Sequence, residues 1–344
     1  MREAEKLLSV AVPAYNAERT LPACLDSLVA SPALGRLDII VINDGSRDGT
    51  GAVAGAYARR FAGSVRVVHQ ENGGHGAGIN AAAPLAGGKY FKVLDADDRL
   101  LTENLPALLD ALRAASADAV VTPFRTVNGS GRLLHEYAPA GVTPGREYAF
   151  EDFWNAGRGV RRCCTFHGLT YRTDFYRSCG IRLSEHTFYE DQEYATLPFR
   201  QVRSVLPLGI PLYEYRLGVE GQSMSDASQV RHLADLERVF WVIWEGYRTL
   251  PGEEEARGYF RCKLAELLLS YYAAALLKNP DRAGGRGSAR ALREHLRAQD
   301  ADFARYTARG YRLVLALHRF GFGRVWNAVR RLPGYRTVSQ WAHC

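Results

Sequence analysis

From Leu7 to Phe124 the chain alternates short apolar runs with amphipathic stretches, and that alternation leaves few folds open. "LLSVAVPAYN" (7–16) is an apolar run stopped by Pro13 and Asn16. "TLPACLDSLVAS" follows, with Leu21, Leu25 and Leu28 at helical spacing, which predicts an inward face. "LDIIVINDGS", "VRVVHQE", "KYFKVLDADD" and "DAVVTPF" are four further strand-like runs, each preceded by a helical pattern. Such alternation predicts an α/β fold whose sheet is doubly wound, mostly parallel and covered on both faces. In these sheets ligands bind at the carboxyl ends of the strands. Asn43–Asp44 and the cluster Asp95, Asp97, Asp98 both fall at such ends.

Past Asn128 the pattern loosens into Gly- and aromatic-rich sequence with strand-like pieces such as "HGLTYR" and "PLYEYRLG". From Gln229 it becomes mostly helical, with "NPDRAGGRGS" expected as a flexible connection. Two regions are therefore expected, 1–228 carrying the sheet and 229–344 forming a helical extension. The 344 residues, 47% of them hydrophobic and 24% charged, suit a soluble globular protein with one large core or two smaller ones. The net charge of +7 is unevenly placed, because no acid follows Asp302 while Arg305, Arg309, Arg312, Arg319, Arg324, Arg330, Arg331 and Arg336 do. Such a tail suits an anionic partner. The aromatic pattern of RNA-binding sheets is missing, which argues against nucleic acid and for an anionic membrane surface. Leu313, Leu317, Phe320, Val325, Trp326 and Val329 interleave with those arginines, as in an interfacial helix or in an ordinary amphipathic helix packed on its own domain. Six cysteines show no zinc-type spacing and are expected to be reduced. No secretory signal is expected at the start, and no apolar run reaches the roughly 20 residues of a membrane span. The expected location is cytoplasmic, with peripheral contact at the inner face of the cell membrane.

Three carboxylates within four residues at a strand end repel one another unless a cation balances them. Mg²⁺ or Mn²⁺ shared between Asp95, Asp97 and Asp98 and a substrate phosphate would do so. A solvated turn capping the next helix is the competing explanation. Asp44 can accept hydrogen bonds from a nucleobase or ribose, or can simply make an Asp-Gly turn. In "ENGGHGAGINAA", Gly76, Gly78 and Ala81 satisfy G-x-G-x-x-A, with Asp95 about twenty residues on, as a dinucleotide fold would have it. The same stretch also reads as a loop and helix start whose N–H groups meet phosphate, with charge added by His75 and Lys92. "HTFYEDQEYATLPF" places Glu190, Asp191 and Glu193 among aromatics, where burial can turn a carboxylate into a general base or the helix dipole can simply favour acids.

In chain order, "SVAVPAYNAERTLPACLDSL", "IIVINDGSRDGT", "ENGGHGAGINAA", "GKYFKVLDADD" and "YEDQEY" resemble the inverting family 2 glycosyltransferases of GT-A fold, over roughly residues 7–225. The resemblance implies that Pro13, Tyr15 and Asp44 contact the nucleobase and that Asp95, Asp97 and the adjacent Asp98 hold a divalent metal. It also implies that Asp191 is the catalytic base. The activity implied is transfer of one sugar, with inversion, from a nucleotide-sugar of the UDP class to a hydroxyl of a glycan or lipid-linked acceptor, in assembly of cell-surface glycan or glycolipid. Asn43 stands where the family often has a first Asp, and "GAGIN" lacks the Arg often found before its Asn. The second departure leaves the phosphates to Lys92, His75 or backbone. The QxxRW motif of processive synthases is absent at "QVRSV", which favours single transfer. Two other readings of the chain are an NAD-type oxidoreductase built on the 76–81 glycines and a catalytically silent sugar-nucleotide or glycan-binding protein.

Overall fold

Residues 5–218, 225–250 and 254–321 are described by the structure, a computed structural model of the chain. The chain divides into two units, 1–220 and 221–344. In the first, the parallel strands β1 (Leu8–Ala14), β2 (Leu37–Asp44), β3 (Val65–Gln70) and β4 (Tyr90–Val93) lie in the order β3-β2-β1-β4. Every residue of β1, β2 and β4 is buried, which is why those runs read as continuous apolar stretches without alternation. The connecting helices are α1 (Leu21–Val29), α2 (Thr50–Arg60) and α3 (His75–Ala82). As the spacing predicts, α1 turns Leu21, Leu25 and Leu28 into the core. Order reverses at β1, so a crevice opens between the carboxyl ends of β1 and β4.

Eight strands complete the unit: β5 (Arg99–Leu100), β6 (Ala119–Val121), β7 (Phe124–Asn128), β8 (Leu133–Tyr137), β9 (Tyr148–Ala149), β10 (Leu169–Arg172), β11 (Ser204–Pro207) and β12 (Tyr213–Leu217). The main sheet continues from β4 as β10-β6-β11-β9, and β5-β12-β7-β8 form a second sheet. The fifth strand expected from the alternation, β6, is thus not next to β4. The short "HGLTYR" piece, as β10, inserts antiparallel between them, with Tyr171 opposite both Phe91 and Ala119. Pairing of β1 with β4 ends at Ala11 and Val93, where Leu94 N still donates to Ala11 O at 2.9 Å. Alternation turns the Pro13 backbone to that same side, so a residue with no N–H sits where the ladder has already stopped.

The second unit is helical: Leu233–Arg248, Glu254–Ala273, Arg282–Gln299, Ala301–Tyr306 and Ala308–Arg319, with Ala274–Lys278 wound as a π-helix. The expected flexible connection at 279–288 is instead mostly helix. Asp281 caps it by accepting from Ala283 N and Gly284 N at 3.1 and 2.9 Å. Gly285 is buried where a Cβ would run into Ala275 O, so a close helix approach and not mobility accounts for its glycine. Among the described residues no helix is long and apolar enough to cross a membrane. Cys24, Cys163, Cys164, Cys179 and Cys262 are free thiols. Val325, Trp326 and Val329 of the basic tail lie outside the described residues.

Candidate active site

The carboxyl end of β2 organises the first wall. Asp44 is 2% exposed. It accepts from Gln70 Nε2 at 2.6 Å, Asn72 Nδ2 at 3.0 Å, Gly73 N at 2.9 Å and Gly74 N at 2.8 Å. Its carboxylate therefore shapes the loop between β3 and α3, a role beyond the nucleobase contact that its motif implies. Gln70 and Asn72, which no motif singled out, are its partners. Gly74 then turns the chain at φ +87 into α3. Tyr15 lies just past β1 with half its surface exposed.

The glycines of "GGHGAGIN" serve protein packing. A Cβ on Gly76 would lie 2.3 Å from Ser184 O, and one on Gly78 would lie 2.9 Å from the Pro13 side chain. Both close approaches are already taken up by the chain itself, so the G-x-G spacing needs no dinucleotide to explain it. The Ser184 segment is drawn in further by His186 N, which donates to Gly73 O at 2.7 Å. Glu193 fixes it from behind, accepting from Ser184 N at 2.8 Å and Ser184 Oγ at 2.6 Å. The backbone is left-handed at His186 (φ 50) and Tyr189 (φ 72), immediately before Glu190 and Asp191. Non-glycine residues there cost about 1 kcal/mol or more each and persist where surroundings enforce them, commonly at functional sites.

The acidic turn forms the second wall. Carboxylate oxygens of Asp95, Asp97 and Asp98 come within 4.8 Å of one another. Tyr213 on β12 clamps the turn, with its hydroxyl donating to Asp98 Oδ2 at 2.7 Å and accepting from Asp95 N at 3.2 Å. Arg216 N donates to the other Asp98 oxygen at 2.8 Å. Burial, and then the charges of Asp95 and Asp97, push the Asp98 carboxyl well above its ordinary pKa. Asp98 is thus a buried support whose oxygens are engaged, and the half-buried Asp95 and Asp97 are the pair placed to take an ion. An all-oxygen, doubly anionic donor pair with a third acid behind it fits a hard divalent cation such as Mg²⁺ or Mn²⁺.

His75, the first residue of α3, joins the two walls. Its Nε2 is 2.9 Å from Asp95 Oδ1 and its Nδ1 is 2.7 Å from Glu190 Oε1. Burial works against its charge, but the Asp95 carboxylate and then the pairing with Glu190 outweigh this, so its pKa lies well above the ordinary value. The imidazolium in turn holds the Asp95 carboxyl below its usual range against the effect of burial. His75 therefore bridges the acidic turn and the "YEDQEY" segment, where a direct phosphate contact had been expected. Asp191 begins the helix Asp191–Thr196, with Gln192 Nε2 donating to its Oδ2 at 2.9 Å. Burial, and next the adjacent Glu190 charge, push its carboxyl up to about 7. A carboxylate with that affinity for a proton is suited to general-base work near neutral pH.

Lys92 is placed elsewhere. It is fully buried, and its Nζ donates to His167 O at 2.8 Å and Leu169 O at 3.1 Å. No face of it is open to a diphosphate, which corrects the expected phosphate contact; on β4 its side chain reaches under β10. Burial pushes the ammonium down to about 7. Lys92→Met would leave two buried carbonyls without a donor and should cost about 2 kcal/mol or more. The expected result is a lower Tm with UDP affinity unchanged; a large loss of UDP affinity at unchanged Tm would return Lys92 to the binding site.

Residues 9–178 match the family model for glycosyl transferase family 2. That stretch, just under half of the chain, is similar to the family 2 glycosyltransferases. It carries the first wall and the acidic turn, whereas Asp191 lies beyond its end. An uncharacterized glycosyltransferase of Bacillus subtilis (strain 168), EpsJ, is 28% identical over 214 residues, covering 61% of each chain. Glycosyltransferase GlyG of Streptococcus pneumoniae is 28% identical over 155 residues, or 45% of this chain and 51% of its own. The chain thus spans about half to three fifths of the length of these curated relatives. Residues 1–349 of S. aureus TarS, solved with UDP-GlcNAc, superpose with a TM-score of 0.67 at 20% identity, covering 92% of each chain. The fold shared with the TarS structure is the GT-A fold.

Proposed function

We propose that the chain moves one sugar from a uridine nucleotide-sugar to an acceptor hydroxyl, with inversion, in the assembly of a cell-surface glycan or glycolipid. One observation carries this reading: Asp191, a carboxyl with a pKa of about 7, is linked through Glu190 and His75 to the carboxylate turn that would face a diphosphate. A base and a leaving-group site held by one short chain of contacts suit a single displacement. The nucleobase lies near Tyr15 and the loop that Asp44 organises. Asp95 and Asp97 would hold Mg²⁺ or Mn²⁺, which supplies Lewis-acid neutralisation of the diphosphate when bound. Asp191 takes the proton of the acceptor hydroxyl as its oxygen attacks the anomeric carbon, on the face opposite the departing nucleotide. Glu190 and His75 keep the base and the turn at fixed separation while this happens.

The uridine reading draws on the TarS structures with UDP-GlcNAc and with UDP. A mannosyltransferase of Pyrobaculum calidifontis with the same fold (TM-score 0.52, 17% identity, 91% of this chain and 87% of that one) was solved with GDP-Man and Mn²⁺, which makes GDP the relevant control. The absence of QxxRW at 201–205 supports transfer of one sugar at a time. The basic tail suits peripheral contact with an anionic membrane that presents a lipid-linked acceptor. Calorimetric titration with UDP, GDP, dTDP and NAD, with and without Mn²⁺, tests the proposal. The expected result is UDP binding that strengthens at least tenfold with Mn²⁺ and no NAD binding; metal-independent NAD binding without UDP binding would overturn it.

A further inference from the structure

The helical unit contains an open cavity of about 350 Å³ lined by four arginines and three alanines. Arg293 and Arg297 come from the helix Arg282–Gln299, Arg305 from Ala301–Tyr306 and Arg312 from Ala308–Arg319, with Ala301, Ala304 and Ala308 as the remaining lining. Three small residues at the junction of three helices leave the space, and four guanidiniums surround it.

Those arginines are unequally committed. Arg305 is paired with Asp302, and Arg293 donates to Ala304 O at 3.4 Å while its guanidinium lies 4.6 Å from the Tyr311 ring centroid. Arg293 also faces the Tyr272 hydroxyl, whose pKa its charge lowers against the larger effect of burial. Arg297 and Arg312 are exposed and make no ion pair or hydrogen bond among the described residues. The nearby acids are spent: Glu294 pairs with Arg290 at 2.8 Å, and Asp300 accepts from Asp302 N and Phe303 N at 2.9 and 2.8 Å. Four guanidiniums around one hollow, two of them without an ion pair, repel one another, and an anion between them would relieve that repulsion. Planar guanidinium forks match the oxygens of phosphate in particular.

Leu313 follows Arg312 directly and is 46% exposed, and Phe320, the residue just after that helix, is 79% exposed. Arg309 and Arg319 flank them on the surface. An arginine-lined hollow and exposed apolar side chains on one helix region suit a lipid surface, with arginines at the headgroup and apolar tips at the acyl boundary. We propose that this pocket binds the phosphate of an anionic phospholipid headgroup. It deepens the peripheral contact suggested above by assigning it a site among named residues, and it is independent of the catalytic assignment.

The test uses the full chain and vesicles of phosphatidylcholine with or without phosphatidylglycerol. Wild type should bind the anionic vesicles, and R297A/R312A should bind them about tenfold or more weakly, since each arginine near such a surface contributes substantially. Both residues are exposed, so Tm and UDP affinity should not change, and UDP titration of the same preparations keeps this test separate from the catalytic one. A second variant, L313S/F320S, should lose vesicle binding while inorganic phosphate still raises Tm. Anionic-vesicle binding that survives R297A/R312A undiminished would overturn the pocket while leaving a membrane contact elsewhere. Phosphate stabilisation through the arginines with no vesicle binding by wild type would overturn the lipid assignment in favour of a soluble phosphate. A response to neither probe would overturn the proposal outright.

Discussion

Asp191→Asn lowers kcat by about 10²–10⁴-fold and leaves UDP affinity within a few-fold, because a positioned base contributes about that much and takes no part in donor binding. The amide keeps the shape of the side chain and can still pair with Gln192, so the loss is one of proton transfer. In the wild type, kcat/KM should fall tenfold per pH unit below about 7, since Asp191 must be unprotonated to act and its carboxyl is held near that value. The limb should vanish in the residual activity of the variant. Stability gives an independent sign. The folded pKa of Asp191 lies above its unfolded value, so between about pH 4 and 7 the unfolded chain gives up this proton first and stability falls as pH rises. Asp191→Asn removes that penalty, and its Tm at pH 7.5 should exceed that of wild type. A variant that is inactive and also less stable would mark Asp191 as structural. Near wild-type kcat would place the base elsewhere, with Glu190 the first candidate.

The parts of this molecule that the sequence makes legible are those where one periodicity decides. β1, β2 and β4 are continuous apolar runs because both faces are covered, and the alternation with α1, α2 and α3 identifies the parallel core. What pattern cannot supply is the order of short strands after Val121. β10 is four residues long, and nothing local in "LTYR" says that it inserts between β4 and β6. The site shows the same division. Asp95, Asp97 and Asp191 stand out by charge at strand or helix ends, but their supports are long-range. Tyr213 reaches the acidic turn from 115 residues away, and His75 meets Glu190 across the same separation. Lys92 misleads for a related reason. A lysine three residues before an acidic cluster looks like a phosphate ligand until the register of β4 against β10 shows its ammonium aimed at two backbone carbonyls. The one sequence signal that could have found the His75 bridge is a departure, the histidine standing in a glycine-rich loop whose usual arginine is missing.

Asp97→Asn should abolish the manganese dependence of UDP binding, weakening the metal-assisted affinity at least about tenfold, as even outer supports of metal sites carry that much. The same substitution should make the free protein more stable. Asp97 is one of the two charges that, after burial, raise the Asp98 carboxyl, so neutralising it relieves that repulsion. Opposite signs for binding and stability are what a ligand kept for function at the expense of the fold should give. Asp98→Asn provides the contrast. Both Asp98 oxygens accept hydrogen bonds, from Tyr213 Oη and Arg216 N. An amide there presents a donor to at least one of those groups and should cost about 1–3 kcal/mol, read as a lower Tm. UDP binding that keeps its full Mn²⁺ response in Asp97→Asn, together with an unchanged Tm, would mean that Asp97 neither holds the ion nor repels Asp98. The acidic turn would then be a capped corner clamped by Tyr213, and the diphosphate would have to be neutralised by other groups of the crevice.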